Sequence, residues 1–492
     1  MFAISTLIMK RFLLTACILG LVILCNAQNY QCVKTDAVSH FECTNGLIYS
    51  IRIDSVAQRN DTTDYYSYKL VRKLENAPML FTMGDPWIGE KFSVIPGNIN
   101  SFYNKAKQEI IINTAAGLNE TWQMYYSTSD NIRIIAEIVV VDTLWFAGIC
   151  DSVKTIKIHV YNNEGNLIEN PFQNSLLHIS KNYGMLSAFN FYEFPWGCIV
   201  GGNYDYLYSI TDSLQFIGMN NPELGWQNLT AGNIFDWQPG WEFHTTEGTT
   251  TTHGEYPWYD YTENIIRTVL SRNLENDTLV YSIDRCYYRY TDAYGTITED
   301  RFRDTITEKY TLHNSMNRLP GESFGFDDMV QYYRKTRYTI RESGNMFYCN
   351  DNCDTLIPVF YDGACFNTYH ERLGVTFKCE GGFAQPDSIG FCYYKRGDDV
   401  WGVPFVCSTL LSVPGNSVLS EKMQLFPNPV EEVTNITVQT NDVLEIFDIS
   451  GQRLMVVNLV SGDNSVNVAH LHPGLYLFRL KNSVFCTKVI VK

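Results

Sequence analysis

The chain has 492 residues, 53 of them acidic against 37 basic, for a formal charge of −16, with 45% hydrophobic and 18% charged side chains. That acidity repels phosphate backbones and anionic lipid heads and excludes nucleic acid as an expected partner, while 32 Tyr, 28 Phe and 9 Trp exclude disorder over most of the length. At roughly 150 residues per domain, two to four domains are expected.

Residues 1–28 read as a secretion signal. Lys10 and Arg11 form a basic start, Phe12 to Leu24 an apolar run and Asn26-Ala27-Gln28 a cleavage end, with Met9 as the start of the signal proper. The run falls short of the ~20 residues that a membrane span needs, and no later stretch approaches that length, so no transmembrane segment is expected in the mature chain. Cys25 raises the alternative of a lipid anchor, but Val22-Ile23-Leu24 lacks the small residues that precede a lipidated cysteine. An exported chain meets an oxidising compartment, in which cysteines pair.

From residue 29 to about 415 the pattern alternates with period two, broken by Asn, Asp and Gly, which predicts antiparallel strands and hairpins. A first β domain is expected over 29–210, with Asn131 to Val141, Val153 to Tyr161 and Leu176 to Ser180 as strands and 162–166 as a hairpin turn. Cys32 with Cys43, and Cys150 with Cys198, are its expected local bridges.

A second β domain is expected over 211–407, with strands Asn264 to Asn273, Thr278 to Tyr290 and Thr296 to Leu312. Asn131 to Ile135 followed by Asp142-Thr143-Leu144 echoes Asn264 to Thr268 followed by Asp277-Thr278-Leu279, which suits either a duplicated meander or convergent hairpin chemistry. His244, Glu247, His253 and Glu255 could face one another across a hairpin as metal ligands do, but the Thr-rich stretch between them reads rather as an exposed loop. No metal or other cofactor is therefore expected. Trp237, Trp241, Tyr256, Trp258, Tyr259 and Tyr261 crowd the same region, with Pro239 and Pro257 holding the chain extended. They are the candidate binding residues, rings that stack on sugar faces or on a partner if exposed and that fill the core if not.

Cys349, Cys353, Cys365, Cys379, Cys392 and Cys407 crowd one loop-rich segment and are disulfide candidates; a zinc site lacks paired C-x-x-C elements and has only His370 nearby. Cys286 is the expected leftover thiol. Residues 408–422, with Pro414-Gly415 at their centre, read as a linker.

The last segment, 423–492, alternates as a small antiparallel sandwich of immunoglobulin-like length. Phe426-Pro427-Asn428-Pro429 gives an extended entry, Asp448 to Gln452 with Gly451 a tight turn, Leu471 to Tyr476 with Pro473-Gly474 a strand entry, and Lys488 and Lys492 a basic tail. These four elements, in this order, resemble the type A sorting domain of type IX secretion cargo. Cys486 departs from the usual pattern. The resemblance implies recognition by the outer-membrane secretion machinery, removal of the module by a sortase-like peptidase near the linker, and release or attachment to surface lipopolysaccharide. The body is similar to uncharacterised cargo of that system through Asp151 to Ile156, Ile179 to Gly184 and Glu371 to Gly374, which implies no activity.

The expected fold class is all-β: two antiparallel meander, half-barrel or sandwich domains, a disulfide-rich segment, and a C-terminal immunoglobulin-like β-sandwich. No G-x-S-x-G elbow, P-loop, H-E-x-x-H or dinucleotide fingerprint occurs. The expected role is a secreted or surface protein of the adhesin kind that binds a glycan or a protein. An extracellular hydrolase and a structural surface component are the alternatives. Asp142-Thr143-Leu144, Asp151-Ser152-Val153, Asp277-Thr278-Leu279 and Asp354-Thr355-Leu356 resemble bacterial O-glycosylation signals, and strand-entry turns produce the same triplets.

Overall fold

The structure is a computed structural model; it describes residues 30–74, 77–195, 214–253, 256–293, 295–326, 329–342, 347–349, 356–358, 367–380, 387–412, 423–438, 440–481 and 486–492. The fold is all-β, and every named strand pair is antiparallel. The signal and the 413–422 stretch lie outside the described residues. The chain divides into two compact units, Met1–Thr230 with Ser315–Phe360 and Ala231–Asn314 with Tyr361–Lys492.

In the first unit, a sheet runs in the order Thr121–Ser127, Ile132–Phe146, Ile149–Tyr161, Leu176–Ser180, Gly184–Ala188, Leu214–Asn220, Ser39–Glu42 and Ile48–Ile51. A five-stranded meander from Ile53–Arg59 to Glu109–Asn113 shares its core. The alternation in the sequence becomes burial directly: Ile132, Ile134, Ala136 and Ile138 point inward, against Ile156, Ile158 and Val160 of the paired strand and Phe92, Phe102, Ile110 and Ile112 of the meander. Asn162 closes the 162–166 turn by accepting from the backbone N–H groups of Glu164 and Asn166, with Gly165 in the left-handed conformation that the turn requires.

Cys32 and Cys43 do not bridge. Both are buried unbonded thiols of this core, where they act as small apolar side chains, and burial pushes the Cys32 thiol far up. Cys150 is exposed and unbonded, and Cys198 lies outside the described residues.

The same unit buries a lysine. Lys335 donates through Nζ to Asn228 Oδ1 at 2.9 Å and to the carbonyls of Leu229 and Met316 at 2.6 Å each, tying a loop and a 3-10 turn to its own strand, Met329–Lys335. Burial pushes its ammonium down to about 7, with Glu322 opposing.

The second unit is built on four long strands, Glu242–His253, Tyr256–Glu275, Thr278–Ala293 and Thr296–Thr311, paired in chain order. Asn276 and Asp277, both at positive φ, make the tight turn between the second and third. Asp142, by contrast, sits within the Ile132–Phe146 strand, whose turn is Ala147-Gly148, so the two echoing triplets occupy different places in their hairpins. The Asp387–Arg396 strand pairs on the outer side of Glu242–His253.

Cys286, expected as a free thiol, is bonded to Cys407 across 121 residues of sequence. The bond holds a short helix, Cys407–Leu411, against the sheet face formed by Ile266, Cys286 and Tyr288, with Leu410 buried there. This helix occupies the first residues of the expected linker. Cys392 is half-buried and unbonded. Cys349 and Cys379 fall in the strands Phe347–Cys349 and Gly374–Glu380 with their side chains outside the described set, as are Cys353 and Cys365 altogether.

Two outcomes follow from these anchors. Lys335→Met is expected to lower stability by roughly 2–4 kcal/mol near neutral pH, because two buried carbonyls and the half-buried Asn228 amide oxygen lose their donor. An unfolded lysine keeps its proton to about 10.5 whereas native Lys335 releases it near 7. Between those values the unfolded chain holds more protons and stability rises with pH, by up to about 1.4 kcal/mol per unit. Denaturant midpoints of both proteins from pH 6.5 to 10 check this: the variant should lack that slope. Replacing Cys286 and Cys407 together by Ser is expected to cost about 2–5 kcal/mol, read from the same unfolding curves.

Candidate functional site

Two regions carry functional geometry. The first is residues 423–492, which form a sandwich of a three-stranded sheet (Gln424–Phe426, Val433–Val438, Gly462–Asn467) and a four-stranded one (Arg453–Leu459, Asp442–Asp448, Gly474–Leu480, Cys486–Val491). Ile436, Val438, Leu444, Ile446, Phe478 and Val489 fill its core. The motif residues explain themselves locally. Asn428, between Pro427 and Pro429, donates to the Lys488 carbonyl at 2.8 Å and accepts from the Ile490 N–H at 2.9 Å, fastening the entry segment to the last strand. Lys492 donates its backbone N–H to the Val430 carbonyl, extending the same seam.

Asp448 accepts from the Ser450 hydroxyl and from the backbone N–H groups of Ser450 and Gln452, so its carboxyl is held below the usual range while Gly451 turns at φ +80°. Tyr476 follows Pro473-Gly474 and donates from its hydroxyl to the His472 carbonyl at 2.6 Å. Burial works to raise the Glu445 carboxyl, but hydrogen bonds from Arg479 and Arg453 hold it low. Phe426 is 75% exposed, and Ile449, Leu475 and Ile490 are also exposed, which leaves apolar surface for a partner on a small module.

Residues 424–492 match the secretion system C-terminal sorting domain. That sorting domain marks the chain for export by type IX secretion, to the outside of the cell or to attachment on its outer surface. No curated protein and no solved structure matches the chain. Among the described residues, no helix is long and apolar enough to cross a membrane.

The second region is the four-stranded sheet of the body. The rings expected to bind divide here. Trp237 is 5% exposed and belongs to a core of rings, with Phe243 and Tyr281 at 5.2 Å and Tyr310 at 5.1 Å; a binding role for it is corrected to a packing one, because the Phe235–Trp237 turn folds back onto the sheet. Trp241 is half-buried with the Arg396 guanidinium 5.9 Å from its ring. Tyr256, Trp258 and Tyr259 lie in the Tyr256–Glu275 strand with side chains outside the described set. Tyr261 is half-buried under Arg289, at 5.7 Å.

His244 is not in an exposed loop: it is fully buried, its Nε2 2.8 Å from Glu242 and its Nδ1 accepting from the Phe405 N–H at 2.8 Å, between the rings of Tyr393 and Phe405. Glu247 lies 3.7 Å from Arg267. His253 ends its strand with an undescribed side chain, and Glu255 lies outside the described residues.

What the structure adds is a ladder. Register places Glu263, Arg289 and Asp300 in one row, Ile265, Tyr287 and Phe302 in the next, and Arg267, Arg285 and Asp304 in the third. Tyr287 and Phe302 pack at 4.4 Å, Arg285 lies over both rings and grips Asp304 with two bonds of 3.0 and 2.7 Å, and Glu263 accepts from Tyr287 and is paired with Arg289. The Asp304 bond holds Arg285 charged, and the same bond keeps the Asp304 carboxyl low. Phe302 is 38% exposed. Ile265 and Tyr287 of the same row are buried, so the face offers the Phe302 ring between charged forks of fixed orientation.

Another exposed ring was not anticipated: Trp145, 77% exposed beside the Ala147-Gly148 turn, with Val140, Val141 and Leu144 exposed near it. The signal was the unbroken run Ile138 to Val141, where a bulge between Ile138 and Val140 ends the simple in-and-out alternation. Of the triplet hydroxyls, Thr143 is exposed, Ser152 is bonded to Tyr30 at 2.8 Å, Thr278 is half-buried, and Thr355 lies outside the described residues.

A chain lacking 424–492 is expected to accumulate in the periplasm, which cell fractionation and blotting against the body would reveal. Its normal appearance outside the cell would contradict a sorting role for the module.

Proposed function

We propose that the body is a binding module of the adhesin kind, displayed or released by its sorting domain, and that it takes an extracellular glycan on the Tyr261–Arg289–Phe302–Arg285 face, with Tyr287 packed beneath Phe302. The observation that carries this is the ladder itself. Sugars present apolar C–H faces and hydroxyl edges, and the exposed Phe302 ring, backed by the buried Tyr287 and flanked by the half-buried Tyr261 and by oriented guanidinium and carboxylate groups, meets both. The outer-membrane machinery of type IX secretion recognises the sorting module, a sortase-like peptidase cuts near 413–422, and the body is released or joined to surface lipopolysaccharide.

The carboxylates favour binding over hydrolysis. Among the described residues, those with resolved shifts, Asp64, Asp151, Glu242, Asp284, Asp304, Glu445 and Asp448, all lie below the usual range, whereas a glycosidase acid is held above it. A hollow of about 200 Å³ lined by Thr35, Asp36, Arg52 and Asn220 contributes one carboxylate, not a pair. The exposed Trp145 hairpin supports a second contact, with a protein partner.

The test passes the mature chain over immobilised extracellular polysaccharides and scores retention and released reducing ends together. Retention without release is expected, with Phe302→Ala weakening it about tenfold, the equivalent of about 1.4 kcal/mol of lost stacking. Release of reducing ends would make the body a hydrolase. Neither on any glycan would move the role to a protein partner, with Trp145→Ala as the next variant.

A further inference from the structure

The sorting module does not hang free within the second unit. The Trp401 indole N–H donates to the Ile449 carbonyl at 2.7 Å, and Gly451 of the motif turn approaches Gly402 so closely that a Cβ there would lie 3.0 Å from the Gly402 nitrogen. A second contact lies on the Asp387–Arg396 strand. A Cβ on Gly390 would lie 3.7 Å from Lys488 Nζ. Cys392 is the extra residue of a bulge just beyond Gly390, and its Sγ turns back to within 3.7 Å of the Gly390 carbonyl and 3.3 Å of Thr246 Oγ1; two residues back from Lys488, on the same face of the last strand, stands Cys486, opposite Arg479.

Both thiols are half-buried and unbonded. Their environments register one another: burial first and the adjacent Cys392 second push the Cys486 thiol up to about 12, while burial raises the Cys392 thiol and Lys488 opposes that rise.

We propose that Cys392 and Cys486 form a disulfide that latches the sorting module onto the Asp387–Arg396 strand of the body. The step breaks two S–H bonds and forms one S–S bond. The two electrons and two protons pass to a disulfide-bearing oxidant of the export compartment, which is itself reduced to two thiols. Lys488 favours the Cys392 thiolate, the attacking partner. Once formed, the bond is shielded by the packing that half-buries both sulfurs, since exchange needs access by an incoming thiolate. The latch has a direct consequence for export: cutting the chain within 413–422 does not separate body from module until the bond is reduced. The Cys286–Cys407 bond does not confound this, since both its ends precede the cut.

The experiment uses the mature chain, residues 29–492, with a site-specific protease sequence placed within 413–422, equilibrated with oxidised glutathione. After cutting, denaturing non-reducing electrophoresis should show one band that reductant splits into body and module, and peptide mapping of the wild-type protein should find Cys392 joined to Cys486. Cys486→Ser should split without reductant. Alkylation of both thiols in the denatured, unreduced wild-type protein, or pairing of either with a different cysteine, would overturn the latch. Because mapping is done on the wild-type chain, the result does not depend on whether the variant folds.

Discussion

The second unit depends on the register of one strand. Thr278–Ala293 pairs along its whole length with Thr296–Thr311 without a break, and with Tyr256–Glu275 through a single bulge. Side chains alternate between faces, so a slip of one residue would send Cys286 to the face of Tyr287 and Tyr287 to the face of Cys286. Then neither the bond to Cys407 nor the row of Tyr287 with Phe302 could exist. The bond uses one face of that strand to hold a helix, the ladder uses the other to present rings and charges, and Tyr281 and Ile283 at its lower end bury the core that fixes both.

The sorting module shows the same economy at smaller scale. Its motif residues are mostly devices of folding: Asn428 sews entry to exit, Asp448 draws three donors into one turn, and Tyr476 closes the loop from His472. Their spacing in this chain suits local hydrogen bonding, since each partner lies within the same turn or seam. The exposed apolar side chains, Phe426, Leu475 and Ile490 among them, are what these devices hold in place for another surface to meet.

Strand content and the sorting module were legible because both rest on local patterns. Ile132 to Ile138 alternates and is buried on alternate residues, and the Phe426 to Pro429 and Asp448 to Gln452 segments carry their own hydrogen-bond partners nearby. What the pattern hid is nonlocal. The partner of Cys286 lies 121 residues away, so counting cysteines by neighbourhood assigned it no mate and paired Cys32 with Cys43 instead. Trp237 looked like one more ring in an aromatic run until the turn after Phe235 folded it inward. Phe302, in a charged strand among Arg301, Arg303 and Asp304, gave no sign of a site, because its neighbours on the sheet face come from two other positions of the chain.

Cys407 stands just before the stretch that joins body to sorting module, and its bond to Cys286 carries the chain there on a short helix anchored by Leu410 rather than on a loose tail. If the module is cut away in that stretch, the new carboxyl end lies a short way along the chain from a fixed point on the long sheet. Anything later joined to that end would be tethered through a short piece of chain to a covalent anchor on the sheet, so that its point of attachment to the sheet is fixed.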